Sequence, residues 1–332
     1  MNRKVNIIEH EGFVGQGLYP WDSLDKGLII KYFYDFDVDA VFVCLDELEC
    51  TDISTESVFF TGSFQNSCLK KILEDKAYFI ESQGATIIPR YELLLAHENK
   101  GFQSLMKKRL GCDDLNEQYL SSDAASFDKN TVYKESAGAG SHGVFISKDS
   151  KGFYKKKQKV ELMNSQLNRL IKSSKLWIKQ NLLNGWRFNT SMAKYAYNST
   201  PLVLQDFVPD LECDYKVLIF GELFFVLKRG VKKGDFRASG SSLFEAVSEC
   251  PFEILDKSKN FFTSLNTPYA SLDIVISKGK AFVIEFQCAH FGPYTYQTAQ
   301  VVYKECEGGW KTLPWVSRPL EWIYAKSVCD FL

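Results

Sequence analysis

The sequence is poor in most features that would classify it at a glance. Its nine cysteines form no CxxC pair, and Cys44 and Cys50 lack the His/Cys partners a zinc site needs. So few thiols, odd in number, argue against a disulfide-stapled extracellular chain and for a reducing cytoplasm. Net charge is almost absent. The 40 Lys+Arg and 41 Asp+Glu leave -1, so nucleic acid is not expected as the main partner. No apolar run is long enough to span a bilayer; the longest, Val217 to Leu227, is interrupted by Glu222. No signal peptide is expected either, because Glu9 and Glu11 break any apolar stretch after Met1-Asn2-Arg3-Lys4. Internal repeats and low-complexity tracts are missing. What is present, 45% hydrophobic and 24% charged residues over 332 positions, suits a folded soluble protein of two or three domains.

Within that ordinary average the order of elements is informative. Val41-Phe42-Val43 and Val58-Phe59-Phe60 are expected as buried strands, and Ser67 to Gln83 as a helix closed by Gly84. Ala85 to Pro89 follows as a further strand, so the first hundred residues predict a small α/β unit with a parallel pair. A helix is expected from Lys100 to about Leu110, and another from Leu162 to Leu182. Beyond Pro201 long strands dominate: 202–208, 215–220, 223–228, 271–277 and 281–287. The tail from Glu305, with Trp310, Trp315 and Trp322, carries no recognisable motif.

Two segments carry chemistry. Ser136-Ala-Gly-Ala-Gly-Ser-His-Gly143 fits GxGxxG, but it leads into Val144-Phe145-Ile146, which favours a strand over a helix. That context predicts a β-hairpin tip whose backbone N–H groups cover phosphate oxygens, with Lys134 on the incoming strand reaching the same oxygens. A flexible tip beside a surface lysine is the plainer alternative, and His142 is expected to be incidental to it.

The second segment is a hairpin, Ser271 to Ser277 and Ala281 to Gln287, turning on Lys278-Gly279-Lys280. A three-residue turn pairs Ser277 with Ala281 and sets Asp273 opposite Glu285, with Gln287 on the same face. Opposed carboxylates repel, so a bound cation is the expected reason for them; oxygen ligands suit Mg²⁺. A solvated face with scattered acids is the alternative. Cys288 and His290 next door are expected to be a packed thiol and a hydrogen-bonded imidazole rather than a nucleophile pair, since sequence neighbours on a strand seldom face each other.

Together with Gln205-Asp-Phe-Val208, Asp214-Tyr-Lys216, Lys228-Arg229 and Gly234-Asp-Phe-Arg237, these segments resemble the ATP-grasp superfamily. The likeness is to its carboxylate–amine ligases, the branch of ribosomal-protein glutamate ligase and glutathione synthetase, and it covers roughly residues 70 to 295. It implies an α+β and α/β architecture in three parts: an N-terminal pre-ATP-grasp domain (1–100), a lid domain (101–204) and a C-terminal antiparallel-sheet domain (205–332). It implies phosphate-binding roles for Lys100, Lys134, Ser136, Gly138, Gly140 and Gly143, and an adenine-holding hinge at Gln205, Asp206, Phe207 and Val208. Asp273, Glu285 and Gln287 match its metal triad. Arg237, Arg229 and Lys216 match its catalytic cations.

The resemblance further implies ATP and Mg²⁺ (or Mn²⁺) as cofactors and a cytoplasmic ligase that forms an amide through an acyl phosphate, releasing ADP and phosphate. Its partners would be a small-molecule or polymer-borne carboxylate and an amine, with no membrane span; a homodimer is left open. A nucleotide-binding regulatory or scaffold protein that has lost turnover is the alternative, and phosphotransfer without ligation a third. Departures from the family pattern are Lys216 for arginine, Ser239 for asparagine, Gln287 for asparagine, and Gln287-Cys-Ala-His-Phe-Gly-Pro293 for the usual Asn-x-x-Pro-Gly. The near-zero net charge also conceals a local bias: 148–180 holds ten basic and two acidic residues. A solvated helix face explains it, and steering of an anionic substrate is the functional alternative.

Overall fold

The N-terminal alternation of apolar runs and amphipathic segments folds, in the computed structural model, into a parallel sheet. β1 (Arg3–Glu9), β2 (Val38–Cys44), β3 (Val58–Phe60) and β4 (Thr86–Ile88) stand in the order β2-β1-β3-β4. α1 (Lys26–Asp35) and α2 (Ser67–Ser82) make two of the crossovers. Asn66 caps α2, its side chain accepting from the amides of Cys68 and Leu69, and the helix buries Leu73, Ala77 and Ile80. α3 (Tyr91–Ala96) follows β4. The structure describes residues 3–17, 23–138, 143–164, 178, 200–209, 211–231, 243–247, 249–289 and 291–332. The chain divides into two units, residues 1–97 with 210–332, and residues 98–209.

The first unit also holds a seven-stranded antiparallel sheet. β9 (Cys213–Phe220), β10 (Leu223–Gly230), β11 (Phe244–Ala246), β12 (Tyr269–Ser277), β13 (Lys280–Gln287), β14 (Val301–Cys306) and β15 (Gly309–Pro314) build it. The order is β13-β12-β9-β10-β14-β15, with β11 also on β10. Side chains alternate across it with period two. One face buries Val217, Leu272 and Phe286 beneath α6 (Phe252–Leu265), where Phe261 meets Phe286 at 5.2 Å between ring centroids. The opposite face carries the charged residues described below.

The same unit joins the two ends of the chain in one core. Val5, Ile7, Phe33 and Phe60 from the parallel part pack with Phe220, Phe225, Tyr269, Tyr296 and Tyr324. Tyr296 lies on α7 (Tyr294–Thr298) and Tyr324 on α8 (Leu320–Phe331). The tail that carries no motif is therefore structural: α8 packs on α1, and Glu321 accepts from the Asp25 amide at 2.8 Å. Trp315 and Trp322 pad the same core, and Trp310 meets Phe224 at 4.9 Å.

The second unit is a four-stranded antiparallel sheet, β5 (Gln118–Ser121), β6 (Thr131–Glu135), β7 (Val144–Phe145) and β8 (Pro201–Asp206), in the order β5-β8-β6-β7. α4 (Lys100–Arg109) and α5 (Ser150–Asn164) accompany it. Tyr133 is its central residue, stacked on Phe145 at 5.2 Å and donating its hydroxyl to the Ser126 carbonyl at 2.7 Å. The lysine-rich start of the basic segment is α5; the helix expected over 162–182 lies outside the described residues apart from its first turn and Ile178.

Candidate functional site

In the second unit the chain gathers two lysines, a serine and a glutamine where α4 begins. Asn99 caps α4 by accepting from the Phe102 amide at 3.1 Å, and it bridges Ala137. The Lys100 amide donates to the Ser136 carbonyl at 2.7 Å. Ser136 closes the corner: its hydroxyl donates to Asn99 Oδ1 at 3.0 Å and accepts from the Gly101 amide at 3.2 Å. Gly101 is required by this closeness, because a Cβ there would lie 2.6 Å from Ser136 Oγ.

The two lysines are buried and internally engaged. Lys100 Nζ donates to the Gly138 carbonyl, and Lys134 Nζ to Gln205 Oε1. Ladder register explains the second contact: Lys134 pairs with Val203, so Gln205 is its diagonal neighbour on one face of β6 and β8. The β6–β7 hairpin exists as expected, with Tyr133 opposite Phe145 and Lys134 opposite Val144. Gly138 and Gly143 bracket its tip with φ of 113° and 70°. Gly140 and His142 lie outside the described residues.

The hinge residues continue from β8. The Asp206 amide donates to the Leu115 carbonyl at 2.9 Å and the Phe207 amide to Asn130 at 2.7 Å. The Asp206 carboxylate accepts from Asn116 Nδ2 at 2.6 Å, and Val208 is buried. Lys100, Lys134, Ser136, Gly138 and Gln205 are thus brought together, while Asp206 to Val208 lie at the strand's end.

In the first unit, Lys216, Arg229, Asp273, Glu285 and Gln287 share one face of the antiparallel sheet. Lys216 pairs with Asp273 across β9 and β12, and Asp273 with Glu285 across β12 and β13; Gln287 pairs with Ser271. The turn is not the one expected. Lys278 and Gly279 alone form it, with Ser277 opposite Lys280 and Ile276 opposite Ala281. Both turn residues have positive φ, 50° and 75°, the type I′ pattern whose twist matches paired strands. That shorter turn shifts the register by one, and a bulge between Asp273 and Ile274 shifts it back, setting Val283 opposite Ile274 and Glu285 opposite Asp273.

The charges on this face are paired. Arg229 grips Asp214 with two bonds, Nε to Oδ1 at 2.6 Å and Nη2 to Oδ2 at 2.8 Å. Its Nη2 also stands 2.9 Å from Asp273 Oδ2, and Lys216 Nζ 3.5 Å from Asp273 Oδ1. Burial alone would raise the Asp273 carboxyl, but Arg229 and Lys216 outweigh it and hold the group below the carboxylate range. Asp214 is pushed up, because its burial outweighs the pull of Arg229. Arg229 is desolvated too, yet Asp273 and Asp214 raise it and keep it charged.

The cation that the opposed carboxylates call for is therefore supplied, at Asp273, by the chain itself. Asp273, Glu285 and the Gln287 amide, on one face of β12 and β13, offer oxygen donors of the kind a hard divalent ion takes. Among the described residues there is no cluster of three or more His, Cys, Asp and Glu that could hold a metal ion. Arg237 and Ser239, like His290, lie outside the described residues. Cys288 is no nucleophile: it is 1% exposed, and burial pushes its thiol far up. Sequence reasoning assigned Asp214 no role. The signal was present, since a β9–β10 hairpin pairing Phe220 with Leu223 places Asp214 opposite Arg229.

No family model and no curated protein matches the chain. Solved structures do. D-cycloserine synthetase DcsG superposes with a TM-score of 0.55 at 9% identity, covering 98% of this chain and 99% of that one. A RimK domain ATP-grasp protein from Sphaerobacter thermophilus gives 0.53 at 10% identity, over 99% of each chain. A RiPP-associated ATP-grasp ligase from Chryseobacterium gregarium, solved with ADP and a leader and core peptide, gives 0.52 at 11% identity, over 100% of this chain and 96% of that one. At 9–11% identity only architecture is comparable, and on architecture the chain has the ATP-grasp fold.

Proposed function

We propose that the chain is an ATP- and Mg²⁺-dependent ligase that joins a carboxylate to an amine through an acyl phosphate. The observation that carries this reading is the sheet face on which Asp273 stands opposite Glu285 with Lys216 and Arg229 on Asp273. The buried lysines of the second unit, Lys100 and Lys134, support it, as do ligases of the same fold.

Substrate carboxylate oxygen attacks the γ-phosphorus of ATP, the bond to the β,γ-bridging oxygen breaks, and ADP leaves. The amine nitrogen then attacks the acyl carbon, the carbon–oxygen bond to phosphate breaks, and the amine gives up a proton. Neither step needs a protein nucleophile, in keeping with the inert Cys288. Charge on the transferred phosphoryl group must be offset, and Lys216, Arg229 and Arg237 are assigned to that task. Lys100, Lys134, Ser136, Gly138, Gly140 and Gly143 bind phosphate; Gln205, Asp206, Phe207 and Val208 hold adenine. Asp273, Glu285 and Gln287 would hold Mg²⁺ or Mn²⁺, which when bound neutralises phosphate oxygens and orients the polyphosphate.

The test is phosphate release on incubation with ATP, Mg²⁺ and pools of carboxylates and amines. ADP and phosphate with an amide product are expected; AMP and pyrophosphate would refute the acyl phosphate. A binding protein without turnover is favoured by one feature, the Lys216 ammonium that replaces a bidentate guanidinium. Tight ATP binding with no product from any pool would select it. No helix among the described residues is long and apolar enough to cross a membrane, and all nine cysteines are free thiols, in keeping with a reducing compartment such as the cytoplasm.

A further inference from the structure

The cations around Asp273 are unequally held. Arg229 and Asp214 are 7% and 4% exposed, and their fork–fork pair is short on both arms. Such a bidentate contact, shielded from water, is the strong kind of ion pair. The contacts to Asp273 are weaker: one shared Nη2 at 2.9 Å and one ammonium at 3.5 Å. Each oxygen of Asp273 thus faces a cation that the chain is able to give up, while Arg229 keeps a second carboxylate that holds its position.

We infer that Lys216 and Arg229 occupy the divalent-cation position on Asp273 in the ligand-free chain and exchange onto phosphate when metal and nucleotide enter, with Asp214 as the positioning residue that retains Arg229 through the exchange. The inference rests on the metal site proposed above and adds an order of events to it. Metal alone must displace the Lys216 ammonium with no new anion offered to it, and it pushes Arg229 back onto Asp214 alone. Metal with a polyphosphate offers those cations new partners, so the two ligands bind with positive coupling, and by linkage each strengthens the other equally. Asp214 prevents the released guanidinium from swinging out of the site. Its own carboxylate is taken up by both arms of Arg229 and is less open than that of Asp273, which leaves Asp273 as the metal ligand.

The experiment is Mn²⁺ titration of the full chain, read by electron paramagnetic resonance of free Mn²⁺, with and without a nonhydrolysable ATP analogue. The wild type should bind Mn²⁺ alone weakly and gain a factor of about 5–150 with the analogue. Lys216→Met should tighten binding of Mn²⁺ alone by about tenfold and shrink the gain by a similar factor. Lys228→Met is the control: it removes the same charge from the opposite sheet face, where Lys228 pairs with Glu245 at 3.1 Å, and should leave Mn²⁺ affinity within about twofold. Asp214→Asn leaves Arg229 with Asp273 as its carboxylate and should weaken binding of Mn²⁺ alone, a loss that Asp214→Glu reverses.

Unchanged Mn²⁺ affinity in Lys216→Met would overturn the exchange, as would an equal gain in Lys228→Met, which would mean a general charge effect. Wild-type Mn²⁺ affinity in Asp214→Asn would remove its positioning role. Binding and turnover separate the two readings. A chain that shows this coupling but makes no amide refutes the ligase and keeps the exchange; a working ligase whose Mn²⁺ affinity ignores Lys216 does the reverse.

Discussion

Asp273 stands opposite Glu285 because the ladder between β12 and β13 shifts register by one residue between Asp273 and Ile274. The two-residue turn would otherwise place Ile284 there and turn the Glu285 carboxylate toward the apolar face under α6. Turn and bulge are therefore a matched pair, one shifting the register and the other shifting it back.

The turn is the cheaper half to test. Gly279 has φ of 75° and a Cβ there would meet nothing within 4 Å, so a substitution costs backbone strain and no clash. Gly279→Val should destabilise the chain by about 1–2 kcal/mol in urea unfolding. Lys278, at φ 50°, is strained already; Lys278→Asn should be neutral or slightly stabilising.

Arg229→Met should be among the most damaging single changes. It strands the buried Asp214 carboxylate and removes one of two cations from Asp273. A loss of about 3–5 kcal/mol is expected at neutral pH. The deficit should shrink on acidification. Burial already raises Asp214, and without the guanidinium it rises further, so the folded variant takes up a proton more readily than the unfolded one and gains relative stability as pH falls. Denaturant midpoints measured at neutral and mildly acidic pH check the sign.

Gln205→Glu should weaken ATP binding without lowering stability. The change converts a neutral acceptor on Lys134 into a charged one, and charge-assisted pairs are about twice as strong. Phosphate must then compete with a carboxylate, and a loss of about tenfold in affinity is expected by nucleotide displacement. An unchanged affinity would separate Lys134 from the phosphate site.

Gly101→Ala should disturb the corner at the start of α4. Its new methyl group would press on Ser136 Oγ and the Tyr119 ring, so overpacking of about 1–3 kcal/mol is expected. A fall in thermal midpoint together with weaker nucleotide binding would show that the corner and the lysine cradle are one structure.

Thiol labelling should sort the cysteines by environment. Cys50 and Cys68 are exposed and should react first with an aromatic disulfide reagent. Cys250 is buried with its thiol pushed up to about 12 by desolvation, and it should resist until the chain unfolds.

Local pattern made much of this molecule legible in one dimension. Strands β2 to β4 of the parallel unit, the helix capped by Asn66, the β6–β7 hairpin and the long strands after Pro201 follow from apolar periodicity and turn residues, which act over a few positions, whereas the central strand β1 and helix α1 were not among the expected elements. The candidate residues were legible because their types are chemically conspicuous. The rest depended on contacts between distant segments. A motif-free tail became the helix that seals Tyr324 against Tyr269, since only packing decides which apolar faces meet. The near-zero net charge said nothing of where charges pair. Sheet register decided that: β9 against β10 sets Asp214 opposite Arg229, β9 against β12 sets Lys216 opposite Asp273, and one turn and one bulge set Glu285 opposite Asp273. Sequence determined which groups are available; tertiary structure decided which of them neutralise one another, because Coulomb energy depends on separation in space and on burial, neither of which is written along the chain.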